Sequence, residues 1–430
     1  MEAVVIGFVA LFALLLLQVP IAFGMGLVGT LGFAWFVGLG PAMRSIGNTA
    51  TDMVMVYDFS VLPLFILMGN FVARSGISQD LYEASNKWLG HKRGGLAMAT
   101  VVACGGFSAV CGSSFATAAT MAKVAMPPMR RFGYADSLAA GSIAAGGTLG
   151  ILIPPSIALV FYGIMTETDI GQLFAAGIIP GILGVVLYAS AVAVMTRINP
   201  ELGPPAEPVP WSERIRALGG VWGMLVLFLI VMGGIYVGFF TPTEAAGIGA
   251  TGAFVIALAR RTLTFRVTLE ILAESGRTTA VLMTLLIGSL LFANFINVSR
   301  LPNVLADWFE TVDIAPIAVV LILVAIYIVL GCILESVSMM LLTVPVFYPV
   351  MQALGFDLIW FGIVVVVVIE ISLITPPIGL NVFVLNAMLP DIRLTEIFRG
   401  VLPFVAADLV RVALIVFIPA LSLYLPSFME

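Results

Sequence analysis

Apolar residues run along this chain in long uninterrupted blocks, broken by short polar stretches. A block of about 20 apolar residues is the length that crosses a bilayer core as a helix. Such blocks lie at 3–18, 21–38, 54–73, 137–165, 173–196, 218–238, 243–259, 279–298, 358–388 and 400–425. Two more, 95–128 and 314–351, are broken near their middles by small or polar residues. At about 1.5 Å per residue each is too long for one crossing. Each predicts a helix–turn–helix hairpin that enters and leaves on the same side. The blocks far exceed the ~10-residue alternating segments of a β-barrel. The pattern therefore predicts an all-α polytopic membrane protein.

Composition strengthens this reading. Of 430 residues, 61% are hydrophobic and 10% charged, where a soluble domain carries about 25%. Too few charges exist to cover a globular surface, which excludes a soluble enzyme, a nucleic-acid binder and a disordered chain. The formal net charge of −5 is dispersed and says little about partners. Cys104, Cys111 and Cys332 sit in apolar segments without metal-ligand spacing and read as packing thiols. The single histidine, His91, lies in the polar run 87–93, so a histidine relay or an intramembrane enzyme lacks its base. The apolar start carries Glu2 where a signal peptide has a basic region, and reads as a retained helix.

With both hairpins re-entrant, Arg74, Lys87, Lys92, Arg93, Arg130, Arg131, Arg197, Arg214, Arg216, Arg260, Arg261, Arg266, Arg277, Arg393 and Arg399 share one side. Arg44 and Arg300 lie on the other. The positive-inside rule makes the basic side cytoplasmic and places both termini outside. The halves also align at one offset. Pro20 and Pro242, Ser114 and Ser336, Pro127 and Pro349, Gly133 and Gly355, Pro154 and Pro376, and Pro155 and Pro377 are all 222 residues apart. An odd number of crossings per half makes this an inverted-topology repeat, as in many secondary transporters. The expected organisation is a first repeat over 1–198 (hairpin 95–128, broken helix 137–165), a proline-rich cytoplasmic linker over 199–217, and a second repeat over 218–430 (hairpin 314–351, broken helix 358–388).

Four segments interrupt the backbone at membrane depth. They are Gly112, Ser113 and Ser114 with Thr117 after them; Gly147 and Thr148 followed by Pro154, Pro155 and Ser156; Glu335, Ser336 and Ser338; and Thr375, Pro376 and Pro377 with Gly379 and Asn381. A proline pair removes two N–H donors and stops a helix. The carbonyls so freed are costly in hydrocarbon unless they line a polar cavity or coordinate something. Carbonyl, hydroxyl and amide oxygens are hard neutral ligands that suit sodium, and half-helix N-termini suit a carboxylate. Glu370, within an apolar run, is either a coupling carboxylate or a group with a structural partner such as a serine or the backbone. Asp408 and Arg411, three apart, are expected to pair.

The runs FSVLPLFILMGNFVARSGIS, GGFSAVCGSSFATAATMAKVAMPPMRRFGY, GGTLGILIPPSIALVFYG, LESVSMMLLTVPVFYPVMQALGFD and ISLITPPIGLNVFVLNAMLPD resemble the large membrane subunit of tripartite ATP-independent periplasmic (TRAP) transporters. The resemblance implies a multi-pass inner-membrane symporter, bacterial or archaeal, with no cofactor beyond sodium as coupling ion. It implies an organic acid, a C4-dicarboxylate or related carboxylate, delivered by a periplasmic binding protein, and a small four-helix membrane subunit supplied as a separate polypeptide. It also implies an elevator mechanism, with 112–114, 148–156, 335–338 and 375–381 in the moving domain and 3–73 and 218–298 mostly scaffold. A proton-coupled organic-anion carrier or antiporter of the same architecture is the alternative.

Overall fold

The computed structural model describes residues 2–311 and 314–429, and every regular element among them is a helix. The first half contains α1 (Glu2–Leu16), α2 (Ile21–Val37), α3 (Leu39–Met55), α4 (Val61–Arg74), α5 (Ile77–Leu89), α6 (Gly95–Cys111), α7 (Ser114–Arg131), α8 (Asp136–Thr148), α9 (Ile157–Thr166) and α10 (Ile170–Ile198). The second contains α11 (Trp211–Tyr236), α12 (Pro242–Ala259), α13 (Phe265–Val298), α14 (Leu301–Thr311), α15 (Pro316–Gly331), α16 (Ser336–Ala353), α17 (Leu358–Ser372), α18 (Leu380–Met388), α19 (Leu394–Phe417) and the short α20 (Ala420–Leu423). Among the described residues six helices, α10, α11, α12, α13, α16 and α19, are individually long and apolar enough to cross a membrane. Other expected crossings coincide with the shorter α1, α2 and α4 and with two interrupted helices, α8 with α9 and α17 with α18.

The repeat seen in the residues is carried by the backbone. Helices α7 and α16 begin at Ser114 and Ser336, and α8 and α17 at Asp136 and Leu358, each pair 222 residues apart. Gly133 and Gly355 both turn the chain with positive φ, 75° and 77°, a region open to glycine at no steric cost. The Pro154-Pro155 and Pro376-Pro377 bonds are both cis.

Both expected hairpins form. In the first, Gly112 (φ 63°) ends α6, and Ser113 caps α7 by accepting from Ala116 N at 3.4 Å. The arms then run side by side: Thr100 Oγ1 lies 3.9 Å from Met129 Sδ, and Leu96 N donates to Tyr134 Oη at 3.1 Å. In the second, Thr343 Oγ1 donates to Tyr327 Oη at 2.7 Å across the arms.

The basic segments meet at one end of the bundle. Arg130 bridges Asp136 at 2.8 Å and Asp391 at 2.5 Å, and Arg260 binds Asp80 at 2.5 Å. Arg74 lies 3.4 Å from Glu274. The linker docks there too: Gly94 N donates to Gly203 O, Ala206 N to Gly90 O and Ala135 N to Leu202 O. Of the stretch 199–217, residues from Trp211 onward are already helix α11, because Pro210 is the last proline and an N-terminal proline does not oppose a helix.

Three expectations need correction. The block 54–73 is the second limb of a helix pair, α3 with 57–74, bent by 65°; α3 carries Arg44, Asn48 and Asp52 and was too polar to register as apolar. The block 279–298 is the C-terminal part of α13, whose 34 residues extend about 51 Å at 1.5 Å per residue, well beyond a ~30 Å hydrocarbon core. The block 400–425 is not one helix: α19 ends at Phe417, before Pro419.

Candidate functional site

Both hairpin tips converge on one cavity of about 240 Å³. Gly112, Ser113 and Ser114 line it from the first tip, and Glu335, Ser336 and Val337 from the second. Ile151 and Ile157 bring the first helix interruption to its edge, while Asn70 of α4 and Glu274 and Thr278 of α13 form the opposite wall. Asn70 Nδ2 is fixed by Ser275 Oγ at 2.8 Å.

Glycine makes the first tip and its interruption close-packed. A Cβ at Gly112 would lie 2.9 Å from Pro155 O, and one at Gly150 would lie 2.7 Å from Ser113 O. Pro154, Pro155 and Ser156 are buried there. Ser156 bridges the gap: its Oγ donates to Ile151 O and accepts from Leu159 N at 3.2 Å, capping α9. Gly147 is buried against Ala118. Thr117 Oγ1 donates to Ser113 O at 2.8 Å, so that hydroxyl serves its own helix, whereas the one proton of the Thr148 hydroxyl has two acceptors within reach, Ala145 O at 2.7 Å and Tyr188 Oη at 3.3 Å.

At the second tip Glu335 caps α16. Its Oε2 accepts from Val337 N and Ser338 N, both at 3.1 Å, and from Ser338 Oγ at 3.2 Å. A carboxylate does occupy this half-helix N-terminus, as the dipole argument requires, but the chain supplies it. Ser336 Oγ is buried with no hydrogen-bond partner among the described residues. The second interruption lies outside the cavity lining. Pro376 and Pro377 are exposed, Thr375 Oγ1 donates to Ile371 O at 2.7 Å, and Gly379 (φ 58°) starts α18. Cys332 Sγ, at the second tip, lies 3.6 Å from Pro376 O. Asn381 reaches back to the first interrupted helix, donating from Nδ2 to Ala144 O at 3.2 Å, while its buried Oδ1 has no partner among the described residues. Gly112, Ser113, Ser114, Glu335 and Ser336 thus share one space, and Thr375, Pro376, Pro377, Gly379 and Asn381 form a second locus beside it.

The polar residues lining the cavity are Asn70, Ser113, Ser114, Glu274, Thr278, Glu335 and Ser336. No group of three or more His, Cys, Asp or Glu side chains able to hold a metal ion occurs among the described residues.

A buried charged cluster stands behind these loci. Arg411 of α19 donates from Nη2 to Glu370 of α17 and lies 2.7 Å from Asp408 Oδ1. Tyr188 of α10 donates to Asp408, and its hydroxyl is 3.3 Å from Thr148 Oγ1. All five residues are fully buried. The i, i+3 pairing of Asp408 and Arg411 is as expected, whereas the partner of Glu370 is a guanidinium rather than a serine or backbone group. The signal in the sequence was an arginine and two acids in apolar segments, since such charges need one another in a low-dielectric interior. Tyr188 gave no signal.

Two opposed helical repeats, each with an interrupted helix and a hairpin whose tip reaches a common cavity, are the build of a secondary transporter of the membrane. The chain matches the family described as "Tripartite ATP-independent periplasmic transporter, DctM component" over residues 8–421 and belongs to it. It is 37% identical over 407 residues to the C4-dicarboxylate TRAP transporter large permease protein DctM of Pseudomonas aeruginosa, covering 94% of each chain. It is 33% identical to the sialic acid TRAP transporter large permease protein SiaM of Vibrio cholerae, covering 86% of each. Among solved structures it resembles the YdaH transporter of Alcanivorax borkumensis, with a TM-score of 0.67, 15% identity and 88% of each chain covered. The chain is a multi-pass inner-membrane transport subunit and not an enzyme.

Proposed function

We propose that this chain is the large permease subunit of a sodium-coupled importer of an organic acid. The carrying observation is the convergence of both hairpin tips on one cavity, to which they bring Ser113, Ser114, Glu335 and Ser336. Sodium is held where each tip meets its interrupted helix: at Ser113, Ser114 and the 151–156 carbonyls in the first half, and around Thr375 and Asn381 in the second. A C4-dicarboxylate is the favoured cargo because several relatives at 32–37% identity are named for it. Relatives named for sialic acid and for 2,3-diketo-L-gulonate are also called large permease proteins, which leaves the acid's identity to pocket shape and to a binding protein.

A periplasmic binding protein delivers the cargo, and a small four-helix membrane subunit completes the permease. The chain covers 94% to 99% of the large permease relatives named DctM and 66% of the isethionate permease protein DctMQ. Transport proceeds by movement of the hairpins and interrupted helices against a scaffold built mostly from α1 to α4 and α11 to α13. The proton-coupled alternative needs a free Glu370, and the pairing of that carboxylate with Arg411 argues against it.

The test is uptake of succinate and related acids into proteoliposomes holding the large subunit, the small subunit and the cognate binding protein. Uptake is expected only with an inward sodium gradient. Uptake driven equally by a proton gradient without sodium would overturn the coupling.

A further inference from the structure

The buried cluster links the two interruptions. Thr148 is the last residue of α8, where the first interruption begins, and Glu370 is two residues from the end of α17, where the second begins. These two positions are 222 residues apart and so equivalent in the repeat. Between them runs one continuous chain of polar contacts: Thr148 Oγ1 to Tyr188 Oη, Tyr188 Oη to Asp408, Asp408 to Arg411 and Arg411 to Glu370. Its members come from α8, α10, α19 and α17, with α10 and α19 packed between the two interrupted helices.

The guanidinium is seated by design of its neighbours. A methyl group at Gly184 would overlap Arg411 Nη1 and would also lie 2.9 Å from Leu149 Cδ2, so Arg411 and the first residue of the interruption share one notch in α10. The guanidinium carbon lies 5.7 Å from the Tyr188 ring centroid. Ion pairs so deeply buried are poor sources of stability, because desolvation offsets their attraction. Intramembrane ionisable groups instead tend to accompany function. Arg411 Nε and Nη1 and Glu370 Oε1 have no hydrogen-bond partner among the described residues, so the cluster is not a saturated structural lock.

We propose that this chain of contacts is a coupling strut: Thr148, Tyr188, Asp408, Arg411 and Glu370 set the two interruptions relative to each other, so that sodium bound at one raises the affinity of the other. The five act as positioning residues and none need touch the ion. The proposal rests on the two-locus sodium reading above. Spatial intermediacy alone does not show coupling; a measured interaction between the loci does.

The test uses the complex of large and small subunits in detergent and reads thermal stabilisation against sodium concentration, with choline keeping ionic strength constant. Ligand binding to the folded state raises the melting temperature by mass action, and the steepness of the response reports coupling. The wild type is expected to respond to sodium with a Hill coefficient above one. Tyr188→Phe keeps the ring and every charge and cuts the link between Thr148 and Asp408. It is expected to lower the Hill coefficient to one and raise half-saturating sodium by about fivefold or more, the lower end of common coupling strengths. Thr148→Val cuts the same link from the other side and serves if Tyr188→Phe fails to fold. The double variant should be no worse than Tyr188→Phe alone, because Tyr188→Phe already removes the contact that Thr148→Val removes. A wild-type Hill coefficient and midpoint in these variants would overturn the strut. A wild type indifferent to sodium would overturn the sodium reading itself, which is a different and separable failure.

Discussion

The two interruptions carry the same proline pair, yet the protein packs them differently. In the first half Pro154 and Pro155 are buried beneath the hairpin tip; in the second Pro376 and Pro377 are exposed. Glycine explains the difference. Gly112 and Gly150 let tip and interruption close on each other in the first half, and their counterparts 222 residues on are Leu334 and Ser372. Neither permits that approach. The close contact in the second half moves back from the tip to Gly331, where a Cβ would overlap the Ser372 side chain. A duplicated backbone device is thus tuned half by half through a few side chains. The scaffold shows the same divergence: α3 and the following limb bend by 65°, while the equivalent stretch of the second half is the continuous α13.

The largest effect is expected where the halves are joined. Arg411→Met leaves Glu370 and Asp408 buried without their cation, and removing one partner of a buried ion pair costs about 3–5 kcal/mol. Thermal unfolding of the purified subunit should show it as a large fall in melting temperature or as loss of folded protein. Next comes the transplant of the second half's residue into the first. Gly112→Leu places a side chain at positive φ, worth about 1–3 kcal/mol, and drives it into Pro155 O. Reduced melting temperature with lost uptake is expected, and a stable, active Gly112→Leu would refute the glycine explanation.

Smaller effects separate the two loci. Ser114→Ala and Asn381→Ala should each raise half-saturating sodium by about fivefold, the value of one ~1 kcal/mol oxygen contact, without changing expression. An effect from Ser114→Ala alone would confine sodium to the shared cavity. The smallest effect is expected at the basic end. Arg130→Gln removes partly exposed bridges to Asp136 and Asp391, worth no more than about 1 kcal/mol and screened by salt. Melting in low and high salt should show a difference that shrinks as salt rises.

Much of this geometry is written locally in the sequence. Proline pairs, Gly-Ser turns and the recurrence at one offset mark the hairpins and interruptions, because each acts on its own backbone. What sequence leaves unread depends on partners distant along the chain. Glu370 and Arg411 lie on different helices, and Tyr188 looks like any aromatic residue in an apolar helix. The exposure of Pro376 and Pro377 goes with Leu334 and Ser372 standing where the first half has glycines, a difference that no motif records. Amphipathic α3 and the polar start of α13 escaped a search for apolar blocks because their polar faces dilute the average.

The most direct measurement is thiol labelling at both tips. Ala116→Cys and Val337→Cys, each in a background lacking the native cysteines, would be labelled with a small maleimide in membranes over a sodium series against choline. Sodium is expected to slow both reactions at comparable concentrations, since both tips border the one cavity in which the proposal places sodium. Labelling of either tip that ignores sodium would contradict a shared site.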